Sequence, residues 1–199
     1  MDAQNEQGAS GYKSAYRPKL SYFHANAKGS GSAVRFELHP AHDDVDGSIF
    51  ATFAAQKTVG SYGGGVRTFP TFDWQNRITV CLRIGDLAQM LEVFRGCRES
   101  IADGKGLFHR SEKANTVIRL EHRLEPVSGY SFDVSRKALD GELQRISFTF
   151  SASEALGFSQ SVEGALHYVA FGIPKTYPRS ARVDSGEKET AEAFPEDPF

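Results

Sequence analysis

The sequence predicts an α+β fold made of two copies of a strand-strand-strand-strand-helix unit. Three observations carry that reading. Apolar and polar residues alternate with a period of two in several short stretches, such as Ser32–His39 and Arg77–Arg83. Two stretches, one in each half, switch to helical spacing. The halves also match in sequence: Asn76-Arg-Ile-Thr-Val-Cys-Leu82 lines up with Gln144-Arg-Ile-Ser-Phe-Thr-Phe150 at a constant offset of 68, and Asp86-Leu87 with Glu154-Ala155 just beyond. Val34-Arg-Phe-Glu37 is echoed by Ile118-Arg-Leu-Glu121.

Residues 1–18 are polar and aperiodic and read as a disordered arm. In Ser32–His39, Val34, Phe36 and Leu38 share one face, and Arg35, Glu37 and His39 the other. The turn Pro40–Gly47 leads to a second strand, Ser48–Ala55. A glycine-rich loop, Gly60–Val66, precedes a strand at Thr68–Trp74, and Arg77–Arg83 alternates again. A helix follows over Asp86–Gly96, with Leu87, Met90, Leu91 and Phe94 on one side. In the second half Gly106–Arg110, Thr116–Glu125, Tyr130–Arg136 and Arg145–Phe150 read as strands. A long helix from Ser153 to Phe171 begins with the capping box Ser151-x-x-Glu154 and ends at Gly172-Ile-Pro174. Its apolar stripe is Leu156, Phe158, Val162, Ala165, Leu166 and Val169. The domain therefore spans residues 19–178, and residues 179–199 form a second disordered segment.

At 199 residues the chain holds one ordinary domain with tails. Nineteen glycines and fifteen phenylalanines favour strands and tight turns over a helical bundle. No stretch reaches the ~18 apolar residues of a membrane span. No basic segment followed by an apolar core opens the sequence, so the expected location is cytoplasmic. Two cysteines, Cys81 and Cys97, exclude a disulfide scaffold and a four-cysteine zinc site. The formal net charge of −2 hides a split. Beyond Pro178 three basic side chains face six acidic ones, whereas the body is about neutral.

Little in the sequence carries catalytic chemistry. His39 and His42, with Asp43 and Asp44 beside them, could ligate a metal, but Pro40 and the turn composition make a solvated polar turn the simpler reading. Gly63-Gly64-Gly65 lacks the Lys-Ser/Thr of a phosphate-cradling loop. No serine sits in a nucleophile elbow, and neither cysteine has a histidine nearby in sequence. The expectation is a non-enzyme without cofactor or metal; a metal-dependent enzyme using the His39/His42 turn is the alternative.

A binding reading has more support. An unpaired nucleic-acid strand needs ring faces for its bases and cations for its phosphates. Arg67, Phe69, Phe72, Trp74 and Arg77 interleave in one run, and Phe108, His109 and Arg110 in another. Arg35, Arg83 and Arg119 fall on strand faces opposite apolar neighbours. With Lys28, the cations expected to meet phosphates are Arg35, Arg67, Arg77, Arg83, Arg110 and Arg119. Phe69, Phe72, Trp74 and Phe108 are expected to meet bases, filling the core being the other role open to each ring. An assembly module whose helices only oligomerise is a further alternative.

The order of these motifs resembles the Whirly family of single-stranded DNA-binding proteins. The carriers are Phe72-Asp-Trp74 followed by a strand and a helix, Leu107-Phe-His109, Ser151-Ala-Ser-Glu154 at a helix start, and Phe171-Gly-Ile-Pro174 at its end. The resemblance covers about Leu20 to Pro174. The family's Lys-Gly-Lys-Ala-Ala-Leu motif is matched only in part, by Lys28-Gly29 ahead of Ser30-Gly-Ser-Ala-Val34. The resemblance implies two antiparallel four-stranded sheets, helices that join protomers into a tetramer, and DNA lying across the sheets with little sequence preference. Related guide-RNA-binding and Pur-repeat proteins share the architecture, so RNA is an alternative ligand.

The end of the chain, Glu192-Ala-Phe-Pro-Glu-Asp197-Pro198-Phe199, is similar to the acidic Pro-Phe tip of bacterial single-stranded DNA-binding proteins. That similarity implies recruitment of repair or replication proteins through Asp197, Pro198 and Phe199, and a bacterial nucleoid setting. A terminal ring and carboxylate on an acidic leash suit a basic pocket with an apolar floor.

Overall fold

Alternation along a strand decides which sheet face each side chain takes, and here it builds two sheets with one shared interior. A computed structural model of the chain describes residues 19–63, 65–124, 128–139 and 141–174. The arm 1–18 and the acidic tip lie outside the described residues. Strands β1 (Lys19–His24), β2 (Ser32–His39) and β3 (Ser48–Thr58) are followed by a small hairpin, β4 (Ser61–Gly63) with β5 (Val66–Thr68). Then come β6 (Thr71–Phe72), β7 (Ile78–Leu82) and helix α1 (Ile84–Phe94). A short 3-10 turn at Ile101–Gly104 leads to β8 (Leu107–Arg110), β9 (Ala114–Arg123), β10 (Gly129–Ala138), β11 (Leu143–Ser151) and helix α2 (Ala152–Phe171).

Both sheets are antiparallel meanders. The first runs β1-β2-β3 with β6 and β7 successively along the outer side of β3, and the second runs β8-β9-β10-β11. The α+β architecture read from the sequence is the one observed. One strand was misplaced. The first unit's fourth strand is β1, while Thr68–Trp74 contributes only the end of β5 and the two residues of β6. Pro70 cannot donate to a ladder and Asp73 starts a turn, which stops that stretch from pairing as one strand. In β1 the rings fall on both faces, Tyr22 against the core and Phe23 outside, so its period is blurred.

The offset of 68 has a structural meaning. Arg83 and Ser151 cap the two helices, and in both cases the backbone N–H of the cap donates to an acid three residues on: Asp86 at 3.0 Å and Glu154 at 2.9 Å. Equivalent residues of the two halves also touch. Gln144 donates to the Asn76 carbonyl, and Arg95 pairs with Glu163 at 3.0 Å. Equivalent positions of the two halves therefore meet at two points.

The interior is an aromatic cluster drawn from every layer. Phe53 of β3 meets Phe132 of β10 at 4.9 Å between centroids, Phe36 of β2 meets Phe158 of α2 at 4.2 Å, and Phe94 of α1 meets Phe158 at 5.7 Å. Burial of each such ring stabilises the fold by ~1.5–3 kcal/mol. On α2 the buried residues are Ala155, Phe158, Ser159, Val162 and Val169. Leu156 is instead exposed, because that helix face turns away from both sheets. Gly172, at φ +74°, ends α2; any Cβ there would collide with the Ala41 carbonyl, so only glycine lets the helix close against the β2–β3 turn.

A further polar contact joins the halves. His24 Nε2 lies 2.8 Å from Glu154 Oε1, and the His24 ring stacks on Phe148 at 4.5 Å. Burial would raise the Glu154 carboxyl, but hydrogen bonds from Ser151 and His24 outweigh it and hold the group below the usual glutamate value.

Candidate nucleic-acid interface

The core takes up most of the inner faces, so the outer ones are the first candidate surfaces. On the first sheet the register sets two outward rows, Lys19-Glu37-Phe50-Cys81 and Ser21-Arg35-Thr52-Thr79. Phe23 continues the outward side of β1. Over this surface lies Trp74, in the interruption between β6 and β7 that the Asp73 carboxylate builds. Asp73 Oδ1 accepts the backbone N–H groups of Gln75 and Asn76, both at 3.2 Å, and Oδ2 accepts the Asn76 amide at 2.8 Å. Those bonds, that of the Asn76 side chain foremost, hold the Asp73 carboxyl below the usual aspartate value. Arg77 donates to the Trp74 carbonyl at 2.8 Å and closes the loop.

So held, Trp74 stacks under Arg35, whose guanidinium carbon is 4.3 Å from the ring centroid. Phe23 joins Trp74 at 6.4 Å and Phe72 at 5.6 Å. Trp74, Arg35, Arg77, Lys19, His39 and Phe50 line one shallow hollow. Of the rings expected to meet bases, Phe72 and Trp74 are half-buried, whereas Phe69 and Phe108 are 68% and 61% exposed. None is sealed in the core.

The second sheet presents a plainer platform. Its outward rows are Phe108-Val117-Ser135-Arg145, Arg119-Asp133-Ser147 and Arg110-Asn115-Lys137-Leu143. Arg119 occupies the place on β9 that Arg35 occupies on β2, as their matching tetrapeptides foretell. No tryptophan covers it.

Charge is partitioned, which the near-neutral total conceals. Among the described residues, no carboxylate lies within ion-pair distance of Arg35, Arg77, Arg119, Lys137 or Arg145. The acids on the outer faces are engaged: Glu37 by Lys19 at 2.9 Å and His39 at 3.3 Å, and Asp133 by Ser131 at 2.7 Å and Arg123 at 3.9 Å. Arg83 stands at 3.8 Å from Asp46, both strongly exposed, an ion pair worth little in water.

The remaining predicted residues sit elsewhere. Lys28 is exposed in the β1–β2 turn. Arg67 lies on the β4–β5 hairpin, which pairs with neither sheet, and covers Phe69 at 5.1 Å. Arg83 and Arg110 line a separate cleft between β7 and β8. His39 is at the end of β2 against Phe50, at 4.5 Å, and lines the first platform. Among the described residues no group of three or more His, Cys, Asp or Glu could hold a metal ion. Asp197, Pro198 and Phe199 lie outside the described residues. Sequence reasoning missed Lys19 and Phe23 along with β1. It also missed Lys137 and Arg145, which the alternation of β10 and β11 does turn outward.

No protein-family model matches the chain, and no curated protein matches it. Among solved structures it is similar to WHY1 from Arabidopsis thaliana, at 18% identity over 78% of this chain and 86% of that one, with a TM-score of 0.60. It is also similar to WHY3 from Arabidopsis thaliana, at 14% identity over 77% of this chain and 89% of that one, with a TM-score of 0.56. These likenesses establish a shared α+β fold with antiparallel sheets.

Proposed function

We propose that the chain is a non-enzymatic single-stranded DNA-binding protein that lays an unpaired strand across its sheet faces with little sequence preference. The observation that carries this reading is the Arg35–Trp74–Phe23–Phe72 assembly, outward on the first sheet and flanked by Arg77 and Lys19. A ring set on a rigid sheet offers a face to any base, at ~1–3 kcal/mol per base, and the cations beside it meet phosphates whatever the sequence. The fold shared with WHY1 and WHY3 and the motif resemblance to the Whirly family support it.

The alternative ligand is RNA, since neither stacking nor phosphate contact distinguishes the sugars. Assembly into a tetramer is part of the proposal. Its support is the outer side of α2, where Leu156 and Phe171 are exposed and a Cβ at Gly157 or Gly164 would meet nothing, leaving room for a second helix to approach closely. A role in repair, recombination, replication or transcription, in a bacterial nucleoid, with partner proteins recruited through Phe199 and its acidic neighbours, completes it.

Fluorescence anisotropy of labelled oligo-dT, measured across salt with duplex DNA and oligo-U as competitors, tests the reading. The expected result is tight binding at low salt, an affinity falling linearly with salt on logarithmic axes, and poor competition by duplex. Equal competition by duplex, or no binding at low salt, would overturn it; equal competition by oligo-U would widen the ligand to RNA.

A further inference from the structure

The inner face of the second sheet changes character at one end. Two successive rows across it, Leu120-Phe132-Phe148 and Ile118-Val134-Ile146, are apolar and buried. The next row is polar throughout: His109, Thr116, Arg136 and Gln144. An arginine on an inner sheet face is costly unless something meets its charge. Among the described residues, no carboxylate lies within ion-pair distance of Arg136 or of Arg110.

Arg136 points to a reason for its placement: it lines a cleft of about 600 Å³ between β7 and β8, which Arg83 and Arg110 also line. The one acid in that lining, Asp86, is already engaged, by His109 Nε2 at 3.2 Å and by the Arg83 backbone N–H at 3.0 Å. Past Arg136, in the same row, Gln144 bonds to the Asn76 carbonyl and ties the two sheets together. A cleft lined by three arginines, with its single acid already engaged, suits a doubly charged phosphate group. Its mouth adjoins the first platform, because Thr79 borders both.

We propose that this cleft seats a phosphomonoester: the terminal phosphate of a strand lying on the first platform, or the phosphate of a mononucleotide. A terminal phosphate carries nearly two charges and three acceptor oxygens, against one charge for an internal diester, and guanidinium groups match it with paired hydrogen bonds. The strand-end form rests on the proposed function; the mononucleotide form stands without it.

The test uses the full chain, with unlabelled oligo-dT bearing a 5′-phosphate, a 3′-phosphate or only hydroxyl ends, competing against a labelled strand. In parallel, thermal shifts are read with dTMP and with thymidine at constant ionic strength. A phosphate at one end is expected to tighten binding about tenfold, the effect of one charge-assisted contact. Arg136→Gln should abolish that preference while leaving the affinity of hydroxyl-ended oligo-dT unchanged. Arg136→Lys, which keeps the charge but not the paired hydrogen bonds, should lose most of the preference and provides the second reading should Arg136→Gln fold poorly. Preference for an end without a dTMP shift identifies the strand as the source; a dTMP shift lost in Arg136→Gln, without end preference, identifies the free nucleotide. Equal affinity for all ends together with no dTMP shift overturns the cleft proposal and leaves the platform reading standing. A dTMP shift with no oligo binding would do the reverse.

Discussion

Trp74→Ala is expected to weaken binding of a single strand by about 1–3 kcal/mol, roughly five- to a hundredfold, with little change in folding stability. The two halves of that expectation have separate causes. The indole is half-buried on an outer sheet face and touches Arg35 and Phe23, not the buried cluster, so removing it opens no core cavity. What is lost is the widest ring on the first platform and the surface over which Arg35 is held flat. Arg35→Ala should act differently, reducing the salt slope by about one as a phosphate contact disappears. Asp73→Ala removes no group from the platform but releases the turn that sets the ring in place, and it should fall between wild type and Trp74→Ala. Anisotropy with oligo-dT at several salt concentrations reads all three. An unchanged affinity in Trp74→Ala would remove the first platform from the account.

Phe150→Ala is expected to destabilise the protein by about 3–5 kcal/mol. Against a total of ~5–15 kcal/mol for a domain, that is enough to threaten folding at ordinary temperature. Phe150 is fully buried and meets Phe148 at 4.9 Å, Tyr22 at 5.3 Å, Phe158 at 5.3 Å and Phe94 at 6.1 Å. Those rings come from both sheets and both helices, so a cavity there has no single element that can shift to fill it. Urea unfolding followed by circular dichroism checks the value, with Phe69→Ala as an exposed control expected to stay within ~0.5 kcal/mol of wild type. A loss under ~1 kcal/mol in Phe150→Ala would mean that the aromatic cluster does not join the layers as described.

The fold was legible wherever periodicity was clean. β2 from Val34 on, β7, residues 118–121 of β9 and residues 145–151 of β11 alternate, and the repeated stretches at offset 68 mark the last strand and helix start of each half. What was lost were short or two-sided elements. β1 has six residues with a ring on either face, so neither a period of two nor a run of apolar residues announces it. Leu156 looked like part of the α2 stripe because 156 and 158 share apolar character, yet on a helix they point well over 90° apart and only Phe158 faces the core.

Which residues of the candidate site share a surface was legible only in part. Arg35, Phe72, Trp74 and Arg77 do come together, as the aromatic-Asp-Trp run and the outward alternation of β2 implied. Arg67 and Phe69 were placed beside them by sequence proximity alone, and the hairpin carries both out of the sheet. Net charge is silent here for a physical reason: a sum over the chain cannot report that carboxylates on the outer faces are engaged while several arginines there meet no carboxylate. The polar row that holds Arg136 was invisible for the opposite reason. Its members are ordinary polar residues on three strands plus one arginine, and only the register brings them side by side.

Trp74 is the single tryptophan of the chain, so its fluorescence reports on the first platform and nowhere else. Titrating the full chain with unlabelled oligo-dT while exciting that indole tests the central claim most directly. The account expects saturable quenching that reverses when salt is raised, with the midpoint matching the anisotropy of the same strand. Binding seen by anisotropy with the indole emission unmoved would contradict it, since the strand would then be held somewhere other than the face on which Arg35 and Trp74 stand.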